Sequence, residues 1–292
     1  MTAVAVTLPR LSTLLRLGRI SNLPTVWTNV IAGVVIAGGA PAVDIVLLAL
    51  AMTAFYVGGM YLNDYFDRAI DARERPGRPI HAGEIRAVTV SAIGFGLLIG
   101  GIVLMVVFGR IALLSGAALA AVIVLYDVWH KGNVFSPVVM GACRALVYIG
   151  SGVAVTGQLS TATLIGAAAL ACHVAGLTYA AKQEGLNRIG NLWPLVLLAV
   201  PLLVAVPSAL SGQVAVIAAW LLLAVADVVA VRLLAQRRAP NAVPMAVSGL
   251  IAAICLVDAL AVGLAGGSLA LVALCAVGYP LTRLFQMSIP GT

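Results

Sequence analysis

Ten apolar stretches follow one another along this chain, at residues 22–39, 43–62, 87–108, 111–127, 136–156, 160–182, 191–208, 213–235, 243–264 and 268–285. Each is close to the ~20 residues that a helix needs to cross a bilayer. The runs are continuous rather than alternating, which argues for helices and against a β-barrel. Gly/Pro or polar segments such as Gly38-Gly39-Ala40-Pro41 and Ala265-Gly266-Gly267-Ser268 separate them. The chain is 62% hydrophobic and 9% charged, against about 25% charged residues in a globular protein. Little is left for a soluble domain. The expectation is an all-α fold: a polytopic transmembrane helical bundle of nine to ten helices, forming one domain over residues 1–292. Pro280 interrupts the last stretch, which makes it the least secure of the ten.

The net charge of +7 does not call for a nucleic acid partner, because basic residues gather in the loops of one membrane face. An alternating path through ten spans puts fifteen Lys and Arg on one side, from Arg10 to Arg283. Arg110 alone falls on the other, and Arg144 lies inside a span. This bias orients both termini, and the polar loops 63–86, 126–135 and 179–191, toward the cytoplasm of a cell (inner) membrane. Arg10, Arg16 and Arg19 among Leu8, Leu11, Leu14 and Leu15 suggest a short helix on the membrane surface. Gly96 and Gly100, four apart, are candidates for close helix approach. Cys143, Cys172, Cys255 and Cys275 sit in apolar stretches without metal-type spacing and read as packing residues.

Chemistry concentrates where the second stretch ends. Asp64, Asp67 and Asp71 are spaced i, i+3, i+7, one face of a helix if the helix continues. Crowded carboxylates at membrane depth need a cation, and an oxygen-only set suits Mg2+, which combines carboxylates with substrate phosphates. Arg73, Arg75 and Arg78 lie just beyond, placed to hold phosphate oxygens. The alternative is a solvated loop whose acids pair with those arginines.

Asn63-Asp64-x-x-Asp67-x-x-x-Asp71, followed by Arg78-Pro79-Ile80 and Gly83, resembles the first signature of the UbiA superfamily of intramembrane prenyltransferases. Arg19-Ile20-Ser21-Asn22-Leu23-Pro24-Thr25 is similar to that family's approach to its first helix. Family members have nine helices, so a tenth would be an addition. The resemblance implies a Mg2+-dependent enzyme, a transferase of prenyl groups. Its partners would be the lipid bilayer, a prenyl diphosphate and a small acceptor, commonly an aromatic ring. Asn63, Asp64, Asp67 and Asp71 would hold the metal. Asn22, Asn63, Arg78, Tyr126, His130, Lys131, Tyr148, Tyr179 and Glu184 would contact substrate. Asp64, Asp67, Lys182 and Arg144 would carry the catalytic roles.

Two elements depart from the pattern. Tyr126-Asp127-Val128-Trp129-His130-Lys131 resembles the family's Tyr-x-x-x-Lys, with His130 at the lysine's spacing and Lys131 one place on; either could meet diphosphate or acceptor. The second acidic signature, Tyr-Ala-x-x-Asp-x-x-x-Asp, becomes Tyr179-Ala180-Ala181-Lys182-Gln183-Glu184-Gly185-Leu186-Asn187. Gln183 and Asn187 stand where aspartates are expected. Lys182 then replaces the second cation, with Glu184 orienting it, or catalysis has been lost. Tyr65, Tyr126, Trp129 and Tyr148 offer aromatic faces to a developing carbocation.

Arg144 lies seven residues past Pro137, about 10 Å into a span at 1.5 Å per residue. An arginine at that depth costs at least ~2.5 kcal/mol to insert and must find a partner. Asp227 or Asp258 as counter-ion, and an anionic substrate group, are both open. His173 reads as a packed, hydrogen-bonded residue. Other functions stay open beside prenyl transfer: a superfamily phosphoribosyl transferase, a transporter, or a non-catalytic isoprenoid-binding protein. The oligomeric state, the acceptor and the prenyl chain length are not encoded in any motif of the chain.

Overall fold

The computed structural model describes residues 9–182, 193–236 and 241–291. A short surface helix, α1 (Leu11–Leu17), leads through a 3-10 turn (Ile20–Asn22) into α2 (Leu23–Ile36). Then come α3 (Ala42–Glu74), α4 (Ala87–Met105), α5 (Arg110–Trp129), α6 (Ser136–Thr156) and α7 (Thr161–Lys182). A 3-10 segment (Trp193–Ala199) opens α8 (Val200–Leu210), followed by α9 (Val214–Gln236), α10 (Ala242–Leu264) and α11 (Leu269–Gln286). Among the described residues nine helices are long and apolar enough to cross a membrane, and Ile20–Ile36 is a shorter apolar tenth. The ten helical segments match the ten apolar stretches one for one.

The main departure in length is α3. Its 33 residues make a rod about 50 Å long at 1.5 Å per residue, against about 30 Å of hydrocarbon. The C-terminal turns beyond Leu62 therefore project past the apolar layer with the acidic residues on them. The helix stops at Arg75, which leaves helical geometry (φ −141°, ψ 62°) because Pro76 follows and disfavours the helical conformation in the residue before it.

Two large cores hold the bundle, and a smaller cluster of Leu17, Tyr61, Ile85 and Val90 joins α1 to α3 and α4. One joins α2, α3, α4, α5 and α6 around Leu48, Met52, Phe55, Met105 and Leu119. The other joins α7 to α11 with α2 and α6, around Leu170, Leu223, Leu250 and Leu260. α2 and α6 contribute to both, so they form the seam, and α10 is the most buried of the spanning helices. Helices approach closely where side chains are smallest. A Cβ on Gly94 of α4 would meet Leu62 at 2.8 Å, while Gly96 and Gly100 face open space. The close contacts thus fall at Gly94 and at Gly101, which meets the Phe55 ring at 2.9 Å, and not at the pair that sequence spacing suggested. All four cysteines are free thiols.

α1 docks through side chains on α3 and on the segment after it. Thr13 and Arg16 both donate to Glu84, and the Tyr61 hydroxyl donates to the Leu14 carbonyl at 3.0 Å. The hydrogen bonds from Arg16 and Thr13 hold the Glu84 carboxyl below its ordinary value.

Candidate functional site

The turns of α3 that leave the apolar layer carry Asn63, Asp64, Asp67 and Asp71, all buried. Their spacing sets them along one helix face, and cationic side chains from other segments close over that face. Asp64 Oδ1 accepts from Arg78 Nη1 at 2.5 Å and from Arg19 Nη2 at 3.3 Å. Asp67 Oδ2 lies 3.3 Å from both His130 Nε2 and Lys131 Nζ. The displaced lysine and the histidine in its expected place thus meet the same carboxylate. The His130 ring stacks on Tyr126, centroids 4.8 Å apart, which fixes its orientation. Burial first, then the neighbouring Arg19, press the Arg78 guanidinium below its ordinary value, a sign of positive charge packed together.

Arg19 reaches this position through its backbone. It has φ 43°, the left-handed region, where a non-glycine residue costs roughly 1–2 kcal/mol. The kink turns α1 away from α2 and points the guanidinium at Asn63 and Asp64.

Most of these groups line a cavity of about 400 Å³, but Asp64 and Asp71, both expected at the site, do not border it, because their carboxylates lie on the part of the α3 face turned away from it. Asn22, Asn63, Asp67, Arg78, Tyr126, His130, Lys131, Arg144 and Lys182 all border it, together with Arg19, Arg75 and Tyr56. Lys182 is anchored at the start of α6, donating to the Ser136 hydroxyl at 2.9 Å and to the Asn133 carbonyl. An apolar pocket of about 80 Å³ lies beside it between α2, α3, α5 and α6, lined by Val26, Phe55, Leu119, Ile123 and Val147. Tyr56, Met60, Tyr126, Met140 and Arg144 border both spaces. A third, polar pocket of about 280 Å³ lies outside, where Arg16, Arg19, Arg75 and Arg78 surround Asp64.

Arg144 finds no carboxylate of its own among the described residues. Its Nη1 donates to Asn29 Oδ1 at 2.8 Å and its Nη2 to Thr25 Oγ1 at 3.0 Å, with the Tyr56 ring 5.5 Å from the guanidinium carbon. Asp258, fully buried, accepts from Thr28 Oγ1 at 2.5 Å, from Asn29 Nδ2 at 2.7 Å and from the Tyr148 hydroxyl at 2.6 Å. Asn29 therefore stands between the arginine and the acid. Asp227 lies elsewhere, 4.0 Å from His173, whose other ring nitrogen faces the Leu250 carbonyl at 3.4 Å.

Some expected residues fall outside the cavity. Tyr148 is fully buried against Asp258, and Tyr179 packs on the C-terminal core. Of the other aromatic candidates, Tyr65 lies under Arg68 and Trp129 is exposed, leaving Tyr126 at the cavity wall. Asn22 borders the cavity, but its amide also holds the chain end, donating to the Gly291 carbonyl at 2.9 Å and accepting from Gln286. Glu184, with Gln183 and Asn187, lies outside the described residues. Residues not foreseen are Arg19, Tyr56 and Asp127. Asp127 directly follows Tyr126 and meets Asn63 Nδ2 at 3.2 Å; its place in the same short element was the available signal.

Among the described residues no three acidic, histidine or cysteine side chains converge as a ready-made metal cluster. The donor chemistry nevertheless suits a hard cation. The α3 face offers carboxylates and one amide, and Asp127 Oδ2 is buried beside Asn63 without a hydrogen-bond donor. Mg2+ takes such oxygen ligands and completes its shell with water and phosphate.

Residues 25–247 match the UbiA prenyltransferase family. The chain belongs to this family. This UbiA family member is 31% identical over 135 residues to the digeranylgeranylglyceryl phosphate synthase of Methanopyrus kandleri, covering 44% of the chain and 49% of that protein. It is 32% identical over 168 residues to the 4-hydroxybenzoate octaprenyltransferase of Pseudomonas fluorescens, covering 55% of the chain and 54% of that protein. The chain thus spans about half the length of these curated relatives. A solved structure concerned with digeranylgeranylglyceryl phosphate synthase in membranes shares the fold, with TM-score 0.60 at 21% identity over 86% of this chain and 97% of that one.

Proposed function

We propose that this protein transfers an isoprenyl group from an allylic prenyl diphosphate to a small electron-rich acceptor, with its site on the cytoplasmic side of the cell membrane. The observation that carries the reading is the junction of two unlike spaces, an ion-lined cavity and an apolar pocket, at Tyr56, Tyr126 and Arg144. A prenyl diphosphate is built the same way, a charged head on a hydrocarbon tail. The sequence's bias of fifteen basic residues to one face against one on the other supports the orientation.

In this reading Arg78, Lys131 and Lys182 hold diphosphate oxygens, Lys182 acting as a point charge. Asn63, Asp64, Asp67 and Asp71 would hold Mg2+, which supplies positive charge against the departing diphosphate. The C–O bond breaks with its electron pair going to diphosphate, the acceptor's electron pair forms the new bond to carbon, and the proton the acceptor then loses goes to the released diphosphate or to water. The Tyr126 face lies where it can favour the transient cation, and the apolar walls keep water from capturing it. One relative is named for a glyceryl phosphate product and another for a hydroxybenzoate acceptor, so the acceptor is a matter for screening.

The test is a transfer assay with purified protein, radiolabelled geranylgeranyl diphosphate, Mg2+ and a panel of phenolic and glyceryl phosphate acceptors. Labelled product with pyrophosphate release is expected. Tail movement across vesicles without turnover would mark a carrier instead, and tight isoprenoid binding without release would mark a non-catalytic protein.

A further inference from the structure

We infer that Asp258 is a positioning residue for this site: its carboxylate sets the direction of the Asn29 amide and so aims the Arg144 guanidinium at the junction of cavity and apolar pocket. An ionisable side chain inside a membrane protein is costly and calls for a purpose, and Asp258 itself touches neither space. Its influence passes through one residue. A carboxylate only accepts hydrogen bonds, so Asn29 must turn its NH2 group toward Asp258, at 2.7 and 2.9 Å from the two oxygens. Its carbonyl oxygen then points the other way, at Arg144 Nη1, 2.8 Å off. A flipped amide would set carbonyl against carboxylate and NH2 against guanidinium, two repulsions in a dry interior.

The rest of the arrangement agrees. Thr25 spends its hydroxyl hydrogen on the Asn22 carbonyl at 2.7 Å, so its oxygen is left to accept from Arg144 Nη2 at 3.0 Å. Thr28 and Tyr148 fill the remaining acceptor sites of Asp258. Arg144 is thus held on three acceptor atoms of two α2 residues, Thr25 and Asn29, while the negative charge that balances it stays one residue behind. Of the five guanidinium N–H groups, Asn29 and Thr25 engage Nη1 and Nη2, and the others remain for an anionic group at the junction.

The inference rests on the proposed function, and the test separates the two. Affinity for geranylgeranyl thiolodiphosphate, a slowly cleaved donor, and kcat/KM are measured for Asp258→Asn, Arg144→Gln and the double variant. Asp258→Asn should lower both about tenfold in the parent and less than about twofold once Arg144 is gone, the signature of a coupled pair. Exchanging the groups, Asn29→Asp with Asp258→Asn, should recover affinity to within about threefold of the parent. Equal losses in both backgrounds, or no recovery on exchange, would overturn the inference. Should Asp258→Asn fail to fold, Asn29→Leu cuts the same link and should show the same dependence on Arg144. If the parent binds no donor, the functional reading fails alone. Non-additive melting temperatures for Asp258→Asn and Arg144→Gln would then support the link, and additive ones would refute it.

Discussion

Two polar regions of this bundle solve the problem of charge near lipid in opposite ways. On the outlying turns of α3, Asp64 and Asp67 each face two basic side chains that keep some contact with solvent, Lys131 most of all at 44%. At the seam of α2, α6 and α10, Asp258 is fully buried and surrounded by neutral donors, with its balancing arginine one residue away. The first region is redundant and wetted, so its pairs can part when an anion or a metal arrives. The second is dry and over-determined, because Asp258 accepts from three neutral donors at once. Binding chemistry belongs to the first, and geometry to the second.

The contrast makes ordered predictions. The largest effect is expected at the redundant region: Asp67→Ala should cut turnover at least about 100-fold, while denaturant melts shift by only about 1 kcal/mol because its partners stay partly hydrated. A stability loss that matches the activity loss would erase the distinction. Tyr148→Phe should do the reverse. It removes a donor from Asp258 and should cost about 1–2 kcal/mol in the melt, with donor KM held within about twofold. Lys182→Ala should raise donor KM about fivefold, roughly 1 kcal/mol, and more than Gln183→Ala does. Equal effects would count against a cationic role for Lys182.

The smallest effect concerns the docking of α1. The Glu84 carboxyl is held below its ordinary 4.5 by Arg16 and Thr13. A depressed carboxyl adds stability that is present above the ordinary value and is lost as pH falls through the lowered one. Melting below about pH 4.5 should therefore decline slightly more in the parent than in Glu84→Gln, by less than about 2 °C given how exposed the pair is.

Much of this was legible from the sequence, for physical reasons. Apolar run length alone places the helices, since bilayer thickness sets their size. The i, i+3, i+7 aspartates need only a continuing helix, and α3 continues to Glu74. Partnerships between distant helices were not legible. Nothing local to Arg144 names Asn29 or Asp258, whose positions are 229 apart and meet only because α2 and α10 pack together. The polar spacing of Asn22, Thr25 and Asn29 on one face of the first span was a readable hint of that seam. Gly96 and Gly100 misled because spacing reports that two glycines share a face, not which face meets a neighbour.

The most direct test of the central claim is calorimetric titration of geranylgeranyl thiolodiphosphate into the purified protein, with and without Mg2+. Saturable binding that Mg2+ strengthens, and that Asp67→Ala weakens at least about tenfold, is the result expected. Binding indifferent to both the ion and the substitution would mean that the acidic face of α3 does not receive the diphosphate head.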